Sequence, residues 1–192
     1  MAKKSFFIKA LEKSYPDTIR MGDFFYSSHN EYAIQGFVID APPSRTSVYG
    51  FVIPIFDKIE FLHFSLNTLI AQGGPLSNCD DDWILEALNK IGDSNVLVPI
   101  IDLGLLSNYV ESNGGGRYCD WCIALINFKL GKTDVARADL KRLFNEIGNG
   151  PDSSVVADAY EAIFQSESEL EDLLQSWEKA NREKYFPAAS HR

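Results

Sequence analysis

Cys119 and Cys122, in the run Cys119-Asp120-Trp121-Cys122, form the one motif in this sequence that could carry a reaction. A two-residue spacing permits a disulfide, and placement at a helix start lets the backbone dipole lower the pKa of the first thiol. The glycines Gly114, Gly115 and Gly116 just upstream fit such a start. The setting argues the other way. Dithiol oxidoreductases place the motif directly after a core strand in a βαβ context, whereas here the flanking pattern is helical. Cysteines three apart on a helix share a face, so packing as small apolar residues also accounts for them.

Other chemistry is thinner. Cys79, His29, His63 and His191 are scattered, with no second C-x-x-C and no H-x-x-H pair, so no metal and no cofactor is expected. Asp80-Asp81-Asp82 lacks the alternating oxygen ligands and glycine of a calcium loop, and reads better as the acidic start of a helix. Gly114–Arg117 has neither the Lys-Ser/Thr ending of a phosphate loop nor dinucleotide-binding glycine spacing, and reads as a flexible loop. No G-x-S-x-G elbow is present. The aromatics Phe24, Phe25, Tyr26, Tyr32, Phe37, Tyr49, Phe51, Phe56, Phe61 and Phe64 could line a small-molecule site, but a sheet-to-helix core is their commoner destination.

The elements that must position these residues follow from periodicity. Most of the 13 phenylalanines fall before residue 65, as expected for a pleated, half-buried sheet. Strands are expected at Ile19–Ser27, Tyr32–Asp40, Ser47–Phe56 and Phe61–Leu69, joined by short connections as an antiparallel meander. In Ser47–Phe56, Tyr49, Phe51, Ile53 and Ile55 share one face and Val48 and Val52 the other, so a central strand is expected despite Pro54. An amphipathic helix over Met1–Tyr15 precedes the sheet, turning Phe7, Ile8, Leu11 and Tyr15 inward and ending before Pro16. After Gly73-Gly74-Pro75 the period becomes 3.6. Helices are expected over Asp80–Ile91, Val96–Val110 (with Pro99 in its first turn), Tyr118–Leu130, Thr133–Ile147, Ser153–Phe164 and Glu167–Tyr185. Ser166 and Glu169 have capping-box spacing. The fold class is therefore α+β: about four antiparallel strands packed by an N-terminal helix, then an all-helical part. A boundary is placed near residue 75, between a 1–75 helix-plus-sheet region and a 76–192 helical region that may share its core.

Ile123-Ala124, Gly131-Lys132, Ala136 and Leu140 have the spacing of a single tetratricopeptide repeat, and residues 118–150 resemble a helical hairpin of that type. Asn127 stands where an aromatic is usual, with Phe128 one residue late, and the closing Pro151 is displaced. No second copy occurs at that period. The resemblance implies close helix-pair packing and a protein- or peptide-binding surface. The Phe51–Phe56 and Phe61–Ile70 stretches (FVIPIF, FLHFSLNTLI) resemble uncharacterised bacterial immunity-type proteins, which implies a non-enzymatic chain that caps a basic toxin.

Charge sharpens that expectation. The chain has 18 basic and 27 acidic residues, net −9. The imbalance is shared between residues 1–100 and 101–192. A field of this sign repels phosphate backbones and would attract a basic protein, so no nucleic-acid partner is expected. No stretch approaches the roughly 18 apolar residues that cross a membrane. The odd cysteine count suits a reducing compartment, with cytoplasm the expectation. Function is expected to be protein binding, through Asp80, Asp81 and Asp82 and through Glu167, Glu169, Glu171 and Asp172. A thiol redox role at Cys119 and Cys122 and an aromatic small-molecule site are the alternatives.

Overall fold

The computed structural model describes residues 2–29, 31–63, 65–147 and 153–186. Phe64, Pro151 and His191, singled out above, lie outside these. The chain forms two compact units: residues 1–30, 34–53 and 62–99 make unit 1, and residues 31–33, 54–61 and 100–192 make unit 2.

Unit 1 is built on an antiparallel sheet of five strands in sequence order: β1 (Thr18–Met21), β2 (Phe24–Ser27), β3 (Ala33–Asp40), β4 (Thr46–Pro54) and β5 (Asn67–Gly73). Helix α1 (Ala2–Ser14) precedes it and α2 (Asp81–Asp93) follows. Phe7, Ile8 and Leu11 of α1 and Ile84, Ala87 and Ile91 of α2 pack with Phe25, Phe37, Ile39, Val48 and Ala71 in one apolar cluster. Alternation sends Tyr26, Ile34, Val38, Phe51 and Ile53 to the opposite face, and these are buried too. Phe25 and Phe37 stack across the strand pair with centroids 5.0 Å apart. Gly36 pairs with Tyr26, and a Cβ on it would lie 2.0 Å from the Phe25 carbonyl oxygen, so only glycine fits there. The Tyr15 hydroxyl donates to the Leu88 carbonyl at 2.6 Å, tying the end of α1 to α2.

Two expectations for this region are corrected. Ile19–Ser27 is two strands in a hairpin, because Gly22 adopts φ +63° and reverses the chain. The sheet therefore has five strands among the described residues, an antiparallel sheet of the size expected. The last strand is Asn67–Gly73 rather than Phe61–Leu69, and Leu66 is its buried lead-in. The apolar residues that mark Phe61–Leu69 as a strand do not say where pairing begins. Pro54 is the final residue of β4, where a missing N–H costs least.

Unit 2 is helical: α3 (Leu103–Asn113), α4 (Arg117–Lys129), α5 (Thr133–Ile147), α6 (Ser153–Gln165) and α7 (Glu167–Tyr185), each packed on its sequence neighbour. The helix expected from Val96 starts only at Leu103. Asp102 caps it by accepting from Leu105 N at 3.0 Å, so Pro99 is upstream and not in the first turn. Helix α4 closes in a Schellman motif: Lys132 N donates to Asn127 O and Gly131 N to Phe128 O, both at 2.9 Å, around Gly131 at φ +75°. Ala124, Ala136 and Leu140 are fully buried in the resulting α4–α5 hairpin, where small side chains let the helices approach. Helix α7 opens as its capping residues require, the Ser166 hydroxyl accepting from Glu169 N at 3.1 Å.

Candidate functional site

The cysteine motif opens α4, where sequence places it. Gly116 is the N-cap residue and supplies no side-chain bond. All three cysteines of the chain are free thiols, Cys79 and Cys122 buried and Cys119 half-buried. The Cys119 Sγ donates to the Val110 carbonyl at 3.6 Å, which favours the protonated form. Burial raises the Cys119 pKa, and the neighbouring carboxylates Asp120 and Glu111 raise it further. Cys122 is pushed well above the ordinary thiol range by burial and by the Asp57 carboxylate. These shifts oppose what the helix dipole would supply, and both thiols are held protonated near neutral pH.

What surrounds Cys122 is a polar centre whose members no sequence pattern groups together. Asp57, on the segment that leaves β4, is 3% exposed. Its carboxylate accepts from the Tyr118 hydroxyl at 2.7 Å, the Trp121 indole N–H at 2.8 Å and the Lys58 backbone N–H at 2.7 Å. Asn181, buried on α7, donates through Nδ2 to the Ile55 and Asp57 carbonyls at 2.7 and 2.6 Å. Burial and the Asp57 charge raise the Tyr118 pKa well above its ordinary value. The arrangement locks the 54–61 segment onto α4 and α7. Each polar group meets a partner, and the neutral phenol and thiol are the favoured forms. Among the described residues no group of three or more His, Cys, Asp or Glu side chains is placed to hold a metal ion.

The expected acidic residues separate. Asp80, Asp81 and Asp82 belong to unit 1, where the Asp80 carboxylate is spent as the N-cap of α2, accepting from Trp83 N at 2.8 Å. In unit 2, Glu171 is committed to Lys129 and Gln175, both at 2.9 Å. Burial pushes the Glu171 pKa up, but those bonds outweigh it and hold the carboxyl below its usual range. Glu167, Glu169 and Asp172 remain exposed, with no ion pair among the described residues, and Glu161 on α6 joins them.

A signal for this was present in the sequence and is hidden by counting in halves. From Leu143 to Glu178 there are nine acidic residues and no basic one; elsewhere the chain is balanced, 18 against 18. Beside these carboxylates stands an exposed aromatic row. Phe144 of α5 stacks on Tyr160 of α6 at 4.8 Å, and Phe164, 74% exposed, lies 6.2 Å beyond it. Tyr160, Glu161, Phe164 and Gln165 line a shallow cavity of about 260 Å³. The aromatic set expected to offer a ligand site lies elsewhere, and Phe25, Tyr26, Phe37, Phe51 and Phe56 are at most 1% exposed. No helix among the described residues is long and apolar enough to cross a membrane.

Against family models, curated proteins and solved structures, nothing matches this chain.

Proposed function

We propose that this chain is a non-enzymatic binding protein for a basic protein partner, and that the α6–α7 turn is the principal contact surface. The observation that carries the reading is the set of exposed carboxylates Glu161, Glu167, Glu169 and Asp172, none ion-paired among the described residues. Exposed carboxylates of one sign raise the encounter rate with a basic surface, and they release it as salt screens them. Asp81 and Asp82 form a lesser surface of the same sign. The tetratricopeptide-like packing of α4 on α5 fits a scaffold for protein contact. An immunity-type role, with an acidic protein capping a basic toxin in a bacterial cytoplasm, is the specific form we favour.

The test is capture on the tagged full chain from its native lysate, washed at low and at about 0.5 M salt, where the Debye length shrinks to a few Å. A stoichiometric basic protein should be retained at low salt and released at high salt. It should be lost when Glu167→Gln, Glu169→Gln and Asp172→Asn are combined. Retention that ignores both salt and the triple substitution would sink the reading.

A further inference from the structure

We propose that the cavity on α6 is a socket for an arginine side chain of the basic partner, with Tyr160 and Phe164 as its walls and Glu161 as its counter-charge. This rests on the binding reading above and names the chemistry of its anchor. Tyr160 and Phe164, and Glu161 and Gln165, are i,i+4 pairs, and the two pairs form adjoining strips along α6 that line the cavity. The stripe Val156, Ala159 and Ile163, buried beside them, fixes those strips outward. Phe144 covers one side of the Tyr160 ring at an interplanar angle of 19°, so Tyr160 is braced from behind. The Tyr160 and Phe164 rings lie 6.2 Å apart and are tilted 42° to each other, both beside the cavity.

Such rings attract a cation through their negative faces, and a carboxylate in the same wall selects positive charge over a neutral apolar group. Among the described residues no basic side chain lines the cavity. Arginine fits better than lysine because its planar guanidinium stacks on a ring while its N–H fork bonds a carboxylate; the Gln165 carbonyl offers a further acceptor. Arginine and aromatic anchors are also the residues that concentrate binding energy at interfaces. Phe164 does nothing for the core at 74% exposure.

The experiment follows the Tyr160 and Phe164 ring resonances of the full chain by NMR. It is titrated with acetyl-Gly-Arg-Gly-amide and with versions carrying lysine or neutral citrulline in place of arginine. Saturable ring shifts should be largest with arginine, weaker with lysine and absent with citrulline. Equal shifts with citrulline, or none with arginine, overturn the socket. So do ring shifts that grow with protein concentration alone, which would show two copies meeting there. Phe164→Leu, which keeps apolar bulk and removes the ring, should weaken arginine-peptide binding about threefold to tenfold, and Glu161→Gln by a similar factor. An oligoarginine peptide separates the two readings. If it binds Phe164→Leu as tightly as the native chain but is lost on neutralising Glu167, Glu169 and Asp172, the socket falls and the acidic surface stands. If that triple neutralisation changes nothing, the binding reading itself falls.

Discussion

In unit 1 the cluster between α1, α2 and the sheet is hydrocarbon and aromatic ring alone, from Phe7 and Leu11 to Phe37 and Ile91. In unit 2 a buried carboxylate, a phenol, an indole, a thiol and an amide meet at Asp57, between α4 and α7. The surfaces differ in the same sense: unit 1 carries nine acidic and seven basic residues, unit 2 carries 18 and 11. A packed apolar cluster is insensitive to pH and sensitive to lost volume. A hydrogen-bonded polar centre is sensitive to any change in the protonation or identity of its members. The two units should therefore fail under different insults.

Phe37→Ala should have the largest effect. It removes a fully buried ring stacked on Phe25 and should cost about 3–5 kcal/mol. Hydrogen exchange read segment by segment should show the loss in residues of unit 1. An equal loss in α4–α7 would show that the units unfold as one and would break the contrast.

Asp57→Asn comes next, at about 2–3 kcal/mol by urea unfolding, because the amide presents an N–H₂ to groups that already donate. The loss should appear as Trp121 and Trp177 fluorescence shifted to longer wavelength at lower urea, the two rings lying 6.3 Å apart in this unit. A variant as stable as the native chain would remove the polar centre from the account.

The smallest effect, up to about pH 10, is alkaline. Cys122 and Tyr118 both have folded pKa values raised well above the ordinary 9.0 and 10.0. Their neutral forms suit the fold, so the stability they contribute is complete below about pH 9. It is lost as pH rises, because the unfolded chain ionises first. Each group should cost about 1.4 kcal/mol per pH unit beyond its ordinary pKa. Urea midpoints measured from pH 8 to 10.5 should fall accordingly. Cys122→Ser should delay the fall to the tyrosine range. Identical pH profiles for the two proteins would contradict the stated cause.

Much of this architecture is legible in the chain. Helices α5 and α7 run over the residues their 3.6 period marks, and Ser166 sets the start of α7 through local backbone geometry. The strands were harder. Gly22 splits a segment that otherwise reads as one strand, and Asn67–Gly73 pairs with β4 through a register shift near Val48 and Tyr49 that no alternation announces. The acidic stretch from Leu143 to Glu178 was countable, yet which carboxylates stay unpaired was not. Glu171 is captured by Lys129, 42 positions away.

Composition and periodicity, which act through neighbours within about one turn, determined the class, most of the helix spans and the sign of the surface. Tertiary structure decided where residues distant in sequence meet: Asp57 with Tyr118 and Trp121, Asn181 with the carbonyls of Ile55 and Asp57, Phe144 with Tyr160. It also surrounded the cysteine pair, Cys122 buried and Cys119 half-buried, with carboxylates that raise both thiol pKa values. A thiol's pKa depends on burial and on the charges packed against it, and the charge that acts most on Cys122, Asp57, comes from far earlier in the chain.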